Sequence, residues 1–224
     1  MTFSLVARCE ETGMFGVAIS SSSPAVAARC SFARAGIGAV ASQNVTDPSL
    51  GPLALDAMEG GLSAKEAIEE VKRRGQFIEY RQVLAVDRNG NAAIYSGPHA
   101  LGIWTEASGK NVASGGNLLA NSGVPQAIVD AFTRSSGHLG DRLIAALKAG
   151  LAAGGEAGPV RSAGIKMVDK VSWPVADLRC DWTQECPVAA IASAWEIYKP
   201  QLDAYVKRAL DPRTAPSFGV PGDE

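Results

Sequence analysis

The chain has 224 residues, of which 46% are hydrophobic, and its formal net charge is -2 at pH 7. A chain of this length can bury one sizeable core, and its composition does not require a second domain. Because the 21 basic and 23 acidic residues are interspersed, nucleic acid and anionic membrane surfaces are excluded as expected partners. We expect a single domain over residues 1–211, a flexible tail over residues 212–224, and a small molecule or peptide as the ligand.

The N-terminal sequence has no basic segment ahead of an apolar one, and no apolar run approaches the roughly 18 residues of a membrane span. A cytoplasmic protein is therefore expected. The four cysteines are too few and too scattered for a disulfide scaffold, which predicts free thiols. Phosphate-binding glycine motifs and clustered metal ligands are also missing from the sequence, so we expect no metal and no cofactor.

The first half of the chain is predicted to form strands and then short helices. Three early strands are predicted. Thr2 to Cys9 is rich in β-forming residues, Met14 to Ser20 has alternating apolar residues, and Gly36 to Ser42 is a short run of small and apolar residues. Residues 25–34 are expected to be irregular. A short helix over Leu53 to Met58 precedes a second helix that begins at a capping box formed by Ser63 and Glu66.

The second half is predicted to alternate between hairpin strands and longer helices. Strands are predicted over Arg81 to Val86 and Asn91 to Tyr95, near Ile103, and over Lys110 to Ser114, Ala163 to Val168 and Val175 to Cys180. Helical spacing indicates helices over Val124 to Thr133, Leu139 to Leu151 and Pro187 to Leu210. This order favours an α+β fold with two antiparallel sheets between helical layers over a parallel doubly wound sheet.

The sequence offers few groups for catalysis. The motifs typical of serine hydrolases, zinc proteases and cysteine proteases are missing, and His99 and His138 are interpreted as loop residues. Thr2 would become the N-terminal residue if Met1 were removed. A free N-terminal threonine carries its own base, because its α-amine has a pKa of roughly 7.7 to 8.0 and can accept the hydroxyl proton. The alternative is that Thr2 is an ordinary β-branched strand residue.

Several long segments of the chain resemble one family. The segments are TFSLVARCEETGMFGVAISS, ARAGIGAVASQNVTDPSLGPLALDAMEGGLSAKEAIE, RQVLAVDRNGNAAIYSG, ASGGNLLAN, RSAGIKMV and ADLRCD. They resemble the N-terminal-nucleophile (Ntn) hydrolase-type family catalogued as domain of unknown function ten-twenty-eight, from Thr2 to about Lys199. The resemblance implies a four-layer αββα sandwich whose first strand begins with the nucleophile, and at least a homodimer.

The resemblance also implies candidate site residues. Thr2 matches the leading threonine, and Asn117 or a nearby backbone amide could complete an oxyanion hole. The matching polar positions that could bind substrate are Arg34, Gln43, Arg161 and Asp177. We further predict a ligand pocket at the start of the first strand, bounded by Thr2, the Ser20 to Ser23 loop, Arg34 and the turn from Gly115 through Gly116 to Asn117.

Two functions follow from these observations. The first is an amidohydrolase that cleaves a small amide or peptide-like substrate through Thr2 after removal of Met1. The second is a non-catalytic binding or assembly protein that keeps the fold and the pocket without the chemistry. Both predict the same pocket, and they differ in the effect of replacing Thr2.

Overall fold

The opening hairpin lies at the centre of the larger sheet in the computed structural model, which describes residues 1–220. Strands β1 and β2 pair antiparallel from Phe3 with Ser20 to Arg8 with Phe15. The six-stranded sheet has the order β10-β9-β2-β1-β8-β7. Its strands are β1 (Thr2–Arg8), β2 (Phe15–Ser21), β7 (Thr105–Gly109), β8 (Val112–Asn117), β9 (Ser162–Val168) and β10 (Ala176–Cys180).

The second sheet has four antiparallel strands in the order β3-β4-β5-β6. Its strands are β3 (Ser31–Arg34), β4 (Gly38–Asn44), β5 (Arg81–Asp87) and β6 (Ala92–Ser96). Asn89 and Gly90 form the β5–β6 turn, and Gly90 has a φ of 80°, which suits glycine. Asp87 closes this turn by accepting the amide hydrogens of Asn89 and Asn91.

Within residues 1–220, seven α-helices cover the two sheets and the ends of the sandwich. They are α1 (Val26–Cys30), α2 (Leu50–Glu59), α3 (Ala64–Arg74), α4 (Val124–Arg134), α5 (Leu139–Ala152), α6 (Pro187–Tyr198) and α7 (Leu202–Leu210). Helices α4, α5 and α6 share one buried apolar cluster with the outer face of the larger sheet, whereas α2 and α3 share another with the smaller sheet. A third cluster joins the inner faces of both sheets. The four layers predicted from the sequence are therefore confirmed.

Three segments of the chain differ from the sequence prediction. Residues 25–34 are not irregular, because they form α1 and the edge strand β3, whose small and polar residues hide any clear period. The long closing helix is interrupted at Pro200 by a 3-10 turn over Lys199–Gln201, since proline lacks the amide hydrogen that a continuous helix needs. The strand near Ile103 lies further on, over Thr105–Gly109.

The C-terminal segment predicted to be flexible is partly described. A 3-10 turn covers Pro212–Thr214, and the Arg208 guanidinium donates to the carbonyl of Pro216. Residues 221–224 of the predicted tail lie outside the described residues. Among residues 1–220, none of the helices combines the length and the apolar character that crossing a bilayer requires.

Candidate functional site

Three strand ends bring polar side chains together at one end of the sandwich. Thr2 begins β1 and pairs with Asn117 at the end of β8, while Phe3 pairs with Ser20, so that Ser21 at the end of β2 lies next to Thr2. Successive side chains of a strand point to opposite faces. Since Phe3 and Leu5 belong to the helix-covered face and Val6 to the inter-sheet cluster, Thr2 lies on the inter-sheet face.

The Thr2 hydroxyl lies in a short chain of hydroxyl groups. Thr2 Oγ1 is 2.5 Å from the carbonyl oxygen of Met1 and 3.3 Å from Ser21 Oγ. Ser21 Oγ donates to the same Met1 carbonyl and lies 2.8 Å from Ser23 Oγ. Because the Ser21 hydroxyl can donate to the Met1 carbonyl, the Thr2 hydroxyl can donate to Ser21 Oγ instead. Thr2 is buried, with 6% of its surface exposed, but its hydroxyl contacts polar atoms.

A basic side chain ends this chain of hydroxyl groups. Arg29 Nη2 donates to Ser23 Oγ at 2.9 Å, and its Nη1 donates to the carbonyls of Pro24 and Ala25. The guanidinium therefore holds the loop that follows β2 and directs Ser23 towards Ser21. Its charge lies two hydroxyl groups away from Thr2.

Glu156 is the buried carboxyl group at this end of the sandwich. Its Oε2 accepts the backbone amide hydrogen of Ser22 at 3.0 Å, while its Oε1 has no hydrogen-bond partner within residues 1–220. Burial raises the pKa of Glu156 from its ordinary value of 4.5 to about 7, against the smaller lowering effects of the Met1 terminal amine and Ser22. Near neutral pH both the protonated and the ionised forms of this carboxyl group are therefore populated.

Two glutamines support the strand ends from the smaller sheet. Ser4 Oγ donates to Gln43 Oε1 at 2.6 Å, and Gln43 Nε2 donates to Gln82 Oε1 at 2.7 Å and to the carbonyl of Gly115 at 3.1 Å. Gln82 Oε1 also accepts a long bond of 3.4 Å from Asn117 Nδ2. All four of these side chains are at most 1% exposed, so this network fixes β1 and β8 relative to the second sheet.

Most of the residues predicted for the site lie near Thr2. Asn117 and Gln43 do so through the contacts above, and the carbonyl of Gly116 accepts a 3.3 Å bond from Gln82. A Cβ on Gly116 would lie 2.6 Å from Leu119 Cδ2 and 3.1 Å from the carbonyl oxygen of Thr2, so a larger residue there would require the Leu119 side chain to shift. Arg161 donates its backbone amide hydrogen to the carbonyl of Ser21 and its guanidinium to the carbonyl of Gln184, which ties two loops together.

The structure does not bring Arg34 to Thr2. Arg34 pairs with Gly38, which lies at the opposite end of β4 from Gln43. At ~3.3 Å per residue, Gly38 and Gln43 are about 16 Å apart. Its guanidinium forms ion pairs with Asp56 and Glu59 on α2, and these hydrogen bonds raise the pKa of Arg34 against a smaller effect of burial. The expectation that Arg34 borders the pocket is therefore corrected.

Asp177 also lies away from Thr2. It pairs with Lys166 in the middle of β9, roughly 13 Å along the sheet from Ser162 at ~3.3 Å per residue. Its carboxylate is 3.4 Å from Lys166 Nζ and 3.2 Å from Arg179 Nε. Since these partners satisfy its charge locally, the geometry assigns Asp177 an ion-pair role in the sheet instead of one beside Thr2.

In the Ser20 to Ser23 loop predicted to border the pocket, Ser20 does not face Thr2. Ser20 pairs with Phe3, and its hydroxyl donates to the carbonyl of Ser162, so it lies on the helix-covered face. Ser21, one residue later, contacts Thr2. Strand alternation from Phe15 and Val17, which belong to the inter-sheet cluster, could have identified Ser21 as the inward-facing serine.

Gln82 and Glu156 were missed altogether. The inward alternation of Gln82 with Leu84 and Val86 was visible in the sequence. Glu156 follows two glycines with positive φ in a loop, where no periodic pattern exists to indicate burial. It reaches the site because Leu119 forms an isolated bridge with Glu156, next to the end of β8.

Neither histidine contacts Thr2 in the described part of the chain. His138 Nδ1 accepts the amide hydrogen of Gly140 at the start of α5, and burial lowers the pKa of His138. His99 lies against the ring of Tyr80. The four cysteines are free. Within residues 1–220, no group of three or more His, Cys, Asp or Glu side chains is arranged to hold a metal ion.

Comparison with known proteins identifies similar sequences and folds. The model of a family of unknown function, DUF1028, matches residues 2–191. The crystal structure of protein SPO2555 from Silicibacter pomeroyi, itself described by that family model, superposes with a TM-score of 0.82 and 27% sequence identity, over 88% of this chain and 89% of the other. Comparison with curated proteins gives no match.

A distant match is Anbu, the ancestral beta-subunit, from Yersinia bercovieri. It has a TM-score of 0.39 and 10% sequence identity, over 91% of this chain and 97% of the other.

Proposed function

The chain belongs to the DUF1028 family, whose function is unknown, and on the geometry around Thr2 we propose that it is an Ntn-type amidohydrolase. In this proposal Thr2 becomes the N-terminal residue after removal of Met1 and cleaves a small amide or peptide-like substrate. The observation that carries the proposal is the position of Thr2 Oγ1, which lies among hydroxyl and carbonyl groups at a strand end instead of beneath apolar side chains.

The proposed reaction uses groups that the chain itself supplies. The α-amine of a terminal Thr2 accepts the hydroxyl proton as Oγ1 attacks the carbonyl carbon of the substrate. The carbon–nitrogen bond then breaks, the leaving amine takes the proton, and an ester on Thr2 remains. Water, activated by the same amine, hydrolyses the ester and restores the hydroxyl group.

Ser21 supports the proposal as the hydroxyl donor to the substrate carbonyl. Its hydroxyl already donates to the carbonyl oxygen of Met1, which occupies the position next to Thr2 Oγ1. Charge develops on this oxygen during attack, so a donor fixed at that point lowers the barrier. Asn117 is adjacent on β8, and its contact with Gln82 is long enough for its amide group to turn towards a ligand.

The test is to replace Thr2 in a chain shown by mass spectrometry to begin with residue 2. We expect Thr2→Ala to lower kcat/KM on a panel of amides by on the order of 10³-fold or more, because the nucleophile is lost. Thr2→Ser should retain turnover. Thr12→Ala, in the turn before β2, is the matched control and should leave turnover unchanged. Turnover that survives Thr2→Ala, or uniform retention of Met1 in the native host, would contradict the proposal.

The second candidate is a binding protein with the same fold and no chemistry. It is favoured by one observation, namely that Thr2 is only 6% exposed. This candidate predicts that Thr2→Ala changes neither turnover nor ligand binding.

A cytoplasmic location and a homodimer belong to the same proposal. They rest on the sequence expectations given above. Light scattering across a concentration series distinguishes a dimer from a monomer of 23.2 kDa.

A further inference from the structure

Met1 occupies the site as an acyl group does, and we propose that the substrate is an aminoacyl amide with a free α-ammonium group and a slender apolar side chain. This inference rests on the proposed function, because it names the substrate of the same threonine. Three features of Met1 carry it, which are its carbonyl group, its side chain and its amine.

The carbonyl group of Met1 marks the acyl position. Its oxygen accepts hydrogen bonds from both Thr2 Oγ1 and Ser21 Oγ. Transfer of an acyl group from the nitrogen of a threonine to its Oγ1 passes through a five-membered cyclic intermediate. The carbonyl carbon therefore lies in nearly the same place whether the acyl group is bound to the nitrogen or to Oγ1. The environment of Met1 therefore describes the environment of an acyl group bound to Thr2 Oγ1.

The side chain of Met1 lies over a glycine. A Cβ atom on Gly158 would be 3.2 Å from Met1 Cε and 3.7 Å from Met1 Sδ. The thioether end therefore uses space that any larger residue at position 158 would take. A flexible, unbranched apolar side chain fits this space, as methionine itself shows.

The amine of Met1 lies within the electrostatic reach of Glu156. Glu156 is 5% exposed, Ser22 uses only one of its oxygens, and Oε1 has no partner among residues 1–220. The charge of the Met1 amine favours the ionised form of this carboxyl group and lowers its pKa, opposing the larger effect of burial. A buried carboxylate oxygen without a partner is costly, and an ammonium group is its natural complement.

Together these groups define the reaction of an aminoacyl amide. Glu156 binds the α-ammonium group, Ser21 donates to the carbonyl oxygen, and the side chain lies over Gly158. Thr2 Oγ1 forms the bond to the carbonyl carbon, the amide carbon–nitrogen bond breaks, and the leaving amine takes the proton. Hydrolysis of the resulting ester releases the free amino acid.

The first experiment measures binding without turnover. The Thr2→Ala chain, produced from a cleavable fusion so that it begins with residue 2, is titrated calorimetrically with L-methioninamide and with N-acetyl-L-methioninamide. We expect the free amine to bind at least ten-fold more tightly than the acetylated ligand, and Glu156→Gln to remove this preference. Equal binding of the two ligands, or no binding of either, would overturn the inference. Equal binding is also the result expected if Glu156 pairs with the amine of residue 2.

A second variant tests the side-chain position. Gly158 does not have a positive φ, so a side chain is sterically compatible with its backbone. We expect Gly158→Val to weaken the binding of L-methioninamide at least ten-fold. The affinity for glycinamide, which has no side chain, should change by no more than about two-fold. An equal effect on both ligands would contradict the assignment.

The two proposals can fail separately. In one outcome, N-acetylated amides are hydrolysed in a Thr2-dependent reaction and binding does not depend on the free amine. This result contradicts the proposed substrate class but supports Thr2 as the nucleophile. In the other outcome, binding depends on the free amine but no Thr2-dependent turnover is detected. This result supports the proposed ligand class and contradicts the proposed hydrolase activity.

Discussion

The two ends of the inter-sheet layer are built from opposite chemistry. At the end near the β1–β2 turn the layer is filled by apolar side chains, including Val6, Phe15 and Val86. At the other end it contains Thr2, Ser4, Gln43, Gln82 and Asn117, all buried and polar. The same strands run through both ends, so the difference lies in the residues and not in the backbone.

The apolar end stabilises the fold, whereas the polar end can carry chemistry. Burial of apolar side chains contributes stability without any demand on direction. A buried amide or hydroxyl group contributes little net stability, and costs roughly 1–3 kcal/mol if left without a partner. The glutamine network satisfies most of these groups, which keeps Thr2 in a fixed, polar surrounding. Within residues 1–220, the buried polar atoms at this end without a hydrogen-bond partner are Glu156 Oε1, Arg81 Nε and Ser31 Oγ.

The largest effect is expected from the apolar end. Phe15 is 1% exposed and packs between the sheets. Phe15→Ala should lower the free energy of unfolding by about 3–5 kcal/mol, since it removes a buried ring and leaves a cavity. Urea denaturation followed by circular dichroism measures this loss. A loss below about 1 kcal/mol would show that the apolar end is not the main source of stability.

A smaller, pH-dependent effect is expected at the polar end. Because burial raises the pKa of Glu156 from 4.5 to about 7, ionisation opposes folding, and the cost grows as pH rises between these values. Below pH 4.5 the carboxyl group is protonated in both states and the cost disappears. The stability of Glu156→Gln relative to the natural chain should therefore rise by about 3 kcal/mol between pH 4.5 and 7.

Denaturation of both chains across this pH range checks the expectation. Glu185→Gln, at an exposed position, is the matched control and should show no such trend. A difference that stays constant with pH would mean that Glu156 is ionised freely in the folded chain, and the contrast between the two ends would be weaker than described.

The smallest effect is expected from Arg34, at the end remote from Thr2. Its ion pairs with Asp56 and Glu59 are exposed, and such pairs contribute roughly 0–1 kcal/mol. Arg34→Ala should therefore change stability by less than about 1 kcal/mol and leave kcat/KM unchanged. A ten-fold loss of turnover on the amide panel would restore the role that the sequence suggested for this residue.

The fold was largely predictable because its strands and helices follow simple periods. Strands β1 and β5 are rich in β-forming residues and are followed by tight turns, and helices α4 and α5 carry apolar residues three and four apart. Elements without such a period were not found, as β3 and α1 show. Local spacing carries no information where small residues occupy both faces.

The candidate site was predictable only in part. Thr2, Asn117 and Gln43 lie at strand ends that the hairpin pattern could align. The distance between Arg34 and Thr2 depends on how the two sheets pack, which no local pattern encodes. Glu156 reaches Ser22 from a loop more than half the chain away in sequence, so its role depends entirely on tertiary contacts.

The central place of β1 also sets an order of events during synthesis. Thr2 pairs with Asn117, and its neighbour Ser21 pairs with Ser162, so the surroundings of Thr2 are complete only after most of the chain has been made. Until then the start of β1 is open to an aminopeptidase. Once β8 and β9 have joined the sheet, Thr2 is buried. For the proposed function, we therefore expect Met1 to be removed before β8 and β9 join the sheet, so that slower translation of the second half favours the processed chain.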